Sequence, residues 1–275
     1  MDVKQILKDE GFTFSKRYGQ NFITDTNLLR AIALDAELTK NDICVEVGAG
    51  AGTLTAQLCD AAGEVVSFEV DERLGGVLEK TLAGKDNLRL VFADVLKDGA
   101  KVLRDEVNGS YKVVANLPYY ITTPVIFFFL ADENCRSITV MVQKEVAQRL
   151  VSAAGTPEYG AVSAQVALMG DVKITRIVPR ALFYPVPNVD SAVIRIDINP
   201  KVDDKQKREK VSRLIAAAFS MRRKTLANNL CSALKLTREK AVAAITACGF
   251  SESIRGEKLS VFDFIELEKK LSDLF

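Results

Sequence analysis

Between residues 43 and 143, short runs rich in β-branched residues alternate with amphipathic stretches, and this alternation most narrows the folds open to the chain. A strand joins a parallel neighbour only through a crossover, so the pattern selects βαβ units on a parallel sheet. Strands are expected at Ile43 to Val47, Val65 to Val70, Leu88 to Ala93, Lys112 to Ala115 and Ile138 to Val142. Helical periodicity falls between them, as at Leu54 to Ala61 and Glu72 to Leu82, and again over Lys144 to Leu168 with a break at Gly155-Thr156-Pro157. Two more strands, Lys173 to Val178 and Ala192 to Ile198, flank a proline-rich loop, giving seven strands that end in a hairpin.

Beyond Asn199-Pro200 the strand pattern stops. Lys201 to Lys210 reads as a solvated linker or helix start, and Val211 to Phe219, Thr225 to Leu234, Arg238 to Ala247 and Ser260 to Leu274 read as helices. Ser260 and Asp263 are spaced like a capping box at the start of the last one. The expected organisation is therefore an α/β domain over residues 1–199 and a small all-α domain over residues 200–275.

Composition excludes several chemistries. There is no histidine in 275 residues, which removes imidazole acid/base catalysis and the usual zinc sites; no metal is expected. Five cysteines without a C-x-x-C pair suit reduced thiols rather than a disulfide framework. The longest apolar run, Val125 to Ala131, is far too short to span a bilayer. The opening Met1-Asp2-Val3-Lys4 lacks the pattern of a secretory signal, so the expected location is cytoplasmic. With a net charge of +1, binding to a polyanion must use segregated basic patches.

Asn116-Leu117-Pro118-Tyr119 follows the fourth strand and offers what methylation of an exocyclic amine requires. Such an amine delocalises its lone pair into the ring, so a catalyst must hold both N–H bonds and turn the lone pair toward an electrophile. The Asn116 side-chain carbonyl and the Leu117 backbone carbonyl are two adjacent acceptors, and Pro118 favours the extended loop that aims them. Tyr119 adds a face for stacking. The same four residues also suit an ordinary strand-ending turn, so their setting decides.

That setting is a set of four strand ends. Glu46-Val47-Gly48-Ala49-Gly50-Ala51-Gly52 follows the first strand, where glycines permit a tight turn and a close ligand. Its third glycine comes one residue earlier than in G-x-G-x-x-G, which favours an adenosine ligand other than a dinucleotide. Glu69 ends the second strand at the position of a ribose acceptor, and Asp94 ends the third, where it can accept from an adenine amino group. Gly48, Glu69, Asp94 and Asn116 thus fall at the carboxyl edge where such sheets bind ligands. Each alone also reads as a tight turn or a helix-capping carboxylate.

With Gln20-Asn21-Phe22 upstream, Phe183-Tyr184-Pro185-Val186-Pro187-Asn188-Val189-Asp190-Ser191 and Phe219-Ser220-Met221-Arg222-Arg223-Lys224-Thr225-Leu226, these segments closely resemble the ribosomal RNA adenine N6-dimethyltransferase family of the KsgA/RsmA type. The likeness runs from about Ser15 to Asn229. It departs mildly at Ile23, where leucine is usual, and at Ala49 for a frequent proline; the loop at Thr156, before Pro157 and Glu158, also lacks the lysine often found there, a departure that bears on RNA contacts. The resemblance implies a Rossmann-like class I methyltransferase fold with S-adenosylmethionine as donor. It places Gln20, Asn21, Ile23, Glu46, Gly48, Gly50, Glu69, Asp94 and Asn116 around that donor, and Tyr119 and Phe183 on the two faces of the target adenine. Phe183 on its own also reads as a core anchor.

The activity implied is N6,N6-dimethylation of two adjacent adenines near the 3′ end of 16S RNA, in a pre-ribosomal 30S-type particle, by a monomer. Lys16, Arg17, Lys144, Arg149, Arg222, Arg223 and Lys224 are the candidates for phosphate contacts. An Erm-type enzyme acting on a large-subunit adenine and a noncatalytic RNA-binding assembly factor are the alternatives on the same fold.

Overall fold

The computed structural model describes residues 3–12, 22–23 and 25–273. In chain order its strands are β1 (Phe22–Ile23), β2 (Ile43–Val47), β3 (Glu64–Glu69), β4 (Leu88–Phe92), β5 (Tyr111–Asn116), β6 (Cys135–Gln143), β7 (Gly170–Val178), β8 (Phe183–Tyr184) and β9 (Ser191–Ile198). Seven of them form one sheet in the order β4-β3-β2-β5-β6-β9-β7. The pairs from β4 through to β6 are parallel, whereas β9 runs antiparallel to β6. The order reverses at β2, where the chain first winds outward to β3 and β4 and then returns to β5. That switch point is where a ligand crevice opens in a sheet of this kind.

The central strands read as nearly unbroken apolar runs because they are covered on both faces. Val45, Val113, Val114, Ile138, Val140 and Ile194 are fully buried. Helices α1 (Val3–Asp9), α2 (Thr26–Asp35), α3 (Thr53–Ala61), α4 (Gly75–Thr81), α5 (Gly99–Glu106) and α6 (Thr122–Leu130) accompany β1 to β6. On one face, Leu28, Leu29 and Ile32 of α2 and Leu54 and Leu58 of α3 pack with Cys44, Val65 and Val114 of the sheet.

Neither α2 nor α6 is expected from periodicity alone. Asp25 caps α2 by accepting the Leu28 N–H at 2.8 Å, a start signal present in the sequence. The α6 run is apolar nearly all round, which suits a buried helix as well as a strand. The two-stranded β1-β8 sheet, with Phe22 opposite Tyr184 and Ile23 opposite Phe183, is also new; two residues carry no readable period.

The remaining helices are α7 (Lys144–Leu150), α8 (Ala161–Met169), α9 (Lys205–Ala218), α10 (Leu226–Leu234), α11 (Arg238–Ala247) and α12 (Val261–Asp273). Asp204 starts α9 six residues before Val211 by accepting the Lys207 N–H at 2.7 Å. The Ser260 capping box on α12 forms as the spacing predicts, with the Ser260 N–H on Asp263 Oδ2 at 2.8 Å.

By internal contacts the chain falls into two compact units, Met1–Ala147 with Lys173–Ile198, and Gln148–Val172 with Asn199–Phe275. The segment 148–172, assigned above to the first domain, groups with the C-terminal helices. Its Tyr159, Ala164 and Leu168 share one core with Leu214, Leu230, Ile245 and Phe264. The Tyr159 hydroxyl also donates to the Leu259 carbonyl at 2.8 Å. No helix among the described residues is long and apolar enough to cross a membrane.

Candidate active site

A cavity of about 600 Å³ opens at the carboxyl edge of the first unit's sheet. It is lined by Ile23, Gly48, Gly50, Glu69, Asp94, Asn116, Leu117, Pro118, Tyr119 and Phe183 among others, so ten of the expected site residues share one space. Gln20, Asn21, Lys16 and Arg17 lie outside the described residues.

The turn after β2 is built on backbone conformations that side chains resist. Gly48 and Gly50 have φ of +82° and +55°, and a Cβ on Gly50 would stand 2.9 Å from the Phe22 ring. At Gly48 a Cβ would meet nothing within 4 Å, so the backbone there faces open space. The Gly48 N–H donates to the Phe68 carbonyl at 2.8 Å and thereby ties the turn to β3.

Glu69, at the tip of β3, is 6% exposed and accepts three backbone N–H groups: Gly50 at 2.8 Å, Val70 at 2.8 Å and Asp71 at 2.9 Å. Burial raises its pKa, and those three donors oppose the rise. A carboxylate has about four lone-pair positions, so one acceptor site remains for a ligand hydroxyl. Asp94 sits two residues beyond β4, where its Oδ1 accepts the Leu96 N–H at 3.0 Å and Lys97 lies 3.7 Å from Oδ2.

Glu46 does not line the cavity. The sequence reading groups it with donor-binding residues, but it lies within β2 and its side chain is fully buried. Its Oε2 accepts the Thr55 hydroxyl of α3 at 2.7 Å and the Ser67 hydroxyl of β3 at 2.6 Å, joining three elements beneath the glycine turn. Oε1 has no hydrogen-bond partner among the described residues. Burial pushes the Glu46 carboxyl up to about 7, and the nearby Glu69 charge adds to the rise.

Asn116 is the last residue of β5, opposite Met141 of β6. Leu117 buries its side chain, so that what it can offer a ligand is backbone. Pro118 holds φ −56° and ψ 133°, the extended conformation its ring favours, and starts the short 3-10 turn Tyr119–Ile121. The Tyr119 hydroxyl lies 2.8 Å from Ser191 Oγ, a pairing that sequence reading missed because the two are 72 residues apart. Phe183, 4% exposed, both lines the cavity and packs in the core with Ile23, Leu29 and Val193.

The basic candidates are distributed over both units. Lys144 and Arg149 are exposed on α7, with the first unit ending between them at Ala147. Arg222, Arg223 and Lys224 are exposed in the second unit, on the turn between α9 and α10. That turn is held from below by buried Asn229, whose Nδ2 donates to the Ala218 carbonyl at 2.6 Å and the Met221 carbonyl at 3.2 Å.

A doubly wound sheet with an antiparallel penultimate strand and a glycine turn facing acidic strand ends defines a class I methyltransferase. A solved structure of the 23S rRNA methyltransferase ErmE matches over 91% of this chain and 99% of its own, with 26% identity and a TM-score of 0.72. A dimethyladenosine transferase from Plasmodium falciparum shares the fold with a TM-score of 0.74 at 24% identity, covering 90% of this chain and 95% of that one.

The chain belongs to the ribosomal RNA adenine dimethylase family, whose model matches residues 11–273. Relatives named ribosomal RNA small subunit methyltransferase A include one from Lachnoclostridium phytofermentans, 44% identical over 96% of this chain and 93% of its own length. Another, from Listeria innocua, is 42% identical over 98% of this chain and 94% of its own. The protein is therefore an enzyme of S-adenosylmethionine-dependent adenine dimethylation in ribosomal RNA.

Proposed function

We propose that the enzyme converts two adjacent adenines near the 3′ end of 16S RNA to N6,N6-dimethyladenine, as a monomer, in the cytoplasm, on a pre-ribosomal 30S-type particle. The observation that carries the site assignment is that Asn116 shares one cavity with the glycine turn, Glu69 and Asp94. The small-subunit target is supported by the names of relatives at 42 to 44% identity, against 26% for the large-subunit enzyme ErmE.

The residues present suit the donor. Open space at Gly48 admits an adenosine edge to the backbone, and Glu69 keeps an acceptor position for ribose. Asp94 would accept from the donor's adenine, while Ile23 and Gly50 pack beside it; Gln20 and Asn21 complete the proposed donor set. When bound, S-adenosylmethionine supplies a methyl group on a sulfonium.

In this reading Asn116 Oδ1 and the Leu117 carbonyl accept the two N–H bonds of the target amine, and Pro118 keeps the second carbonyl aimed. Tyr119 and Phe183 face the two sides of the base, and Tyr119, half-buried and hydrogen-bonded, is the better placed of the two to stack. Adenine must leave its own stack at a cost of a few kcal/mol, which stacking at roughly 1 to 3 kcal/mol per aromatic partner offsets. Orientation supplies most of the acceleration, and the amine can release its proton to water once alkylated, so no histidine is needed. Lys16, Arg17, Lys144, Arg149, Arg222, Arg223 and Lys224 would contact phosphates.

Labelled methyl transfer to undermethylated small subunits, naked 16S RNA and mature particles, followed by primer extension, tests this. Two adjacent stops near the 3′ end, with the immature particle preferred, are the expected result. A stop on large-subunit RNA would instead indicate the Erm-type activity, and no transfer at all the assembly-factor alternative.

A further inference from the structure

The strand directions bring a distant residue to the target-binding edge. Parallel strands β5 and β6 end there at Asn116 and Gln143, and because β9 runs back along β6, its first residue Ser191 lies opposite Gln143. In the order β5-β6-β9, Tyr119 must reach past the tip of β6 to Ser191, a span of two strand spacings or about 10 Å. The three-residue advance from Asn116 plus the length of a phenol covers it.

Ser191 is fully buried, and its hydroxyl pairs with that of Tyr119 at 2.8 Å. The backbone around it is fixed on the preceding side as well. Asp190 Oδ1 accepts the Arg180 N–H at 3.0 Å, and the Asp190 carbonyl accepts the Lys144 N–H at 3.0 Å. Arg180 Nη1 also donates to the Asn188 carbonyl at 3.1 Å. The serine is thus a rigid post at the end of the loop that begins with Phe183, and the tyrosine leaning on it belongs to the loop that begins with Asn116. One hydrogen bond joins the two loops that face the base.

A hydrogen bond at the far end of a tyrosine restrains χ1 and so fixes where the ring lies, while rotation about χ2, whose axis runs through the hydroxyl oxygen, is limited by the packing of this half-buried side chain; an unheld ring must be ordered at the moment of binding. We infer that Ser191 is a positioning residue for catalysis: its hydroxyl fixes the Tyr119 ring so that the adenine meets a pre-set stacking face beside Asn116. This rests on the reading of Tyr119 as a base-stacking residue.

The test is a double-mutant cycle in the full-length chain, with methyl transfer to undermethylated small subunits as the readout. Ser191→Ala and Tyr119→Phe should each lower kcat/KM for the particle roughly three- to tenfold, the size of one hydrogen bond. The double variant should fall no further than the weaker single, with donor affinity by calorimetry within about twofold of wild type. Tyr119→Ala, which removes the ring, should lose more than either. Additive losses, or singles indistinguishable from wild type beside an impaired Tyr119→Ala, would overturn the positioning role and leave stacking intact. Wild-type activity in Tyr119→Ala would overturn both. Should Ser191→Ala fail to fold, Ser191→Cys, whose somewhat larger thiol is a weaker donor, enters the cycle in its place, with the same non-additivity expected.

Discussion

The Gly50 N–H donates to Glu69 Oε2 at 2.8 Å, so the acidic tip of β3 sets the shape of the glycine turn as well as facing the cavity beside it. The other oxygen accepts the Val70 and Asp71 N–H groups, so an NH2 in place of either oxygen would face at least one backbone N–H. Glu69→Gln would place an amide NH2 against one of these sets. Charge-assisted bonds of this kind contribute about 1.5 to 3 kcal/mol each, so affinity for S-adenosylmethionine is expected to fall at least roughly tenfold. Titration calorimetry measures it, and an unchanged dissociation constant would mean the turn holds its shape without Glu69.

Glu46 gives the fold a pH dependence of opposite sign to that of a salt-bridged carboxylate. Its folded pKa is about 7, against 4.5 for the ordinary group. The folded protein therefore holds the proton more tightly than the unfolded chain. The resulting stability is complete below about pH 4.5 and is lost as pH rises through 7. Glu46→Gln keeps an acceptor for Thr55 and Ser67 and cannot ionise. Relative to this variant, wild type should lose on the order of 2 to 3 kcal/mol between pH 4.5 and pH 8. Denaturant unfolding of both proteins across that range checks the sign, and parallel curves would show that Glu46 titrates normally.

How much of this was legible in the sequence follows from which signals are local. The strands of the large sheet are legible because buried parallel strands carry unbroken β-branched runs, whereas their order, with its reversal at β2, is set by packing that no single segment records. Asn116, Glu69, Asp94 and the glycines are legible because a doubly wound sheet puts its strand ends on one edge. Glu46 was misplaced because its sequence neighbourhood is that of the turn, whereas its partners Thr55 and Ser67 are set by packing of α3 and β3. Ser191 stood in plain view within a recognisable segment, but its role depends on the antiparallel direction of β9, which no local pattern records. The same holds for residues 148–172, whose apolar positions fit either unit and are claimed by the C-terminal helices only through their shared core.

Asn229 and the basic turn above it should separate in their effects on RNA. Reversing Arg222, Arg223 and Lys224 to glutamate removes cations and should weaken binding while flattening the salt dependence, by roughly 0.7 to 0.9 in the log-log slope per lost phosphate contact. Asn229→Ala leaves every cation in place but strips the Ala218 and Met221 carbonyls of their shared donor. It should cost about 1 to 3 kcal/mol in stability and lower RNA affinity with the slope unchanged. Filter binding at several ionic strengths distinguishes the two; a slope that drops in both variants would show that Asn229 acts through charge placement after all.

Asn116 carries the sharpest expectation, because its position at the end of β5 is fixed by pairing with Met141 and the residue lines the cavity. Replacing it with alanine leaves the strand and the Pro118 turn in place and removes one of two acceptors proposed for the target amine. A lost acceptor leaves an N–H bond of the base unpaired and lets the lone pair rotate away from the line of transfer. Removing one such oriented polar group from an active site costs on the order of 10² to 10³ in kcat. Asn116→Ala should therefore drop methyl transfer by at least that factor, with donor affinity by calorimetry within several-fold of wild type. A comparable fall in donor affinity would assign Asn116 mainly to donor binding. Transfer at the wild-type rate would remove the residue from the chemistry and leave the Leu117 carbonyl as the remaining acceptor proposed for the target amine.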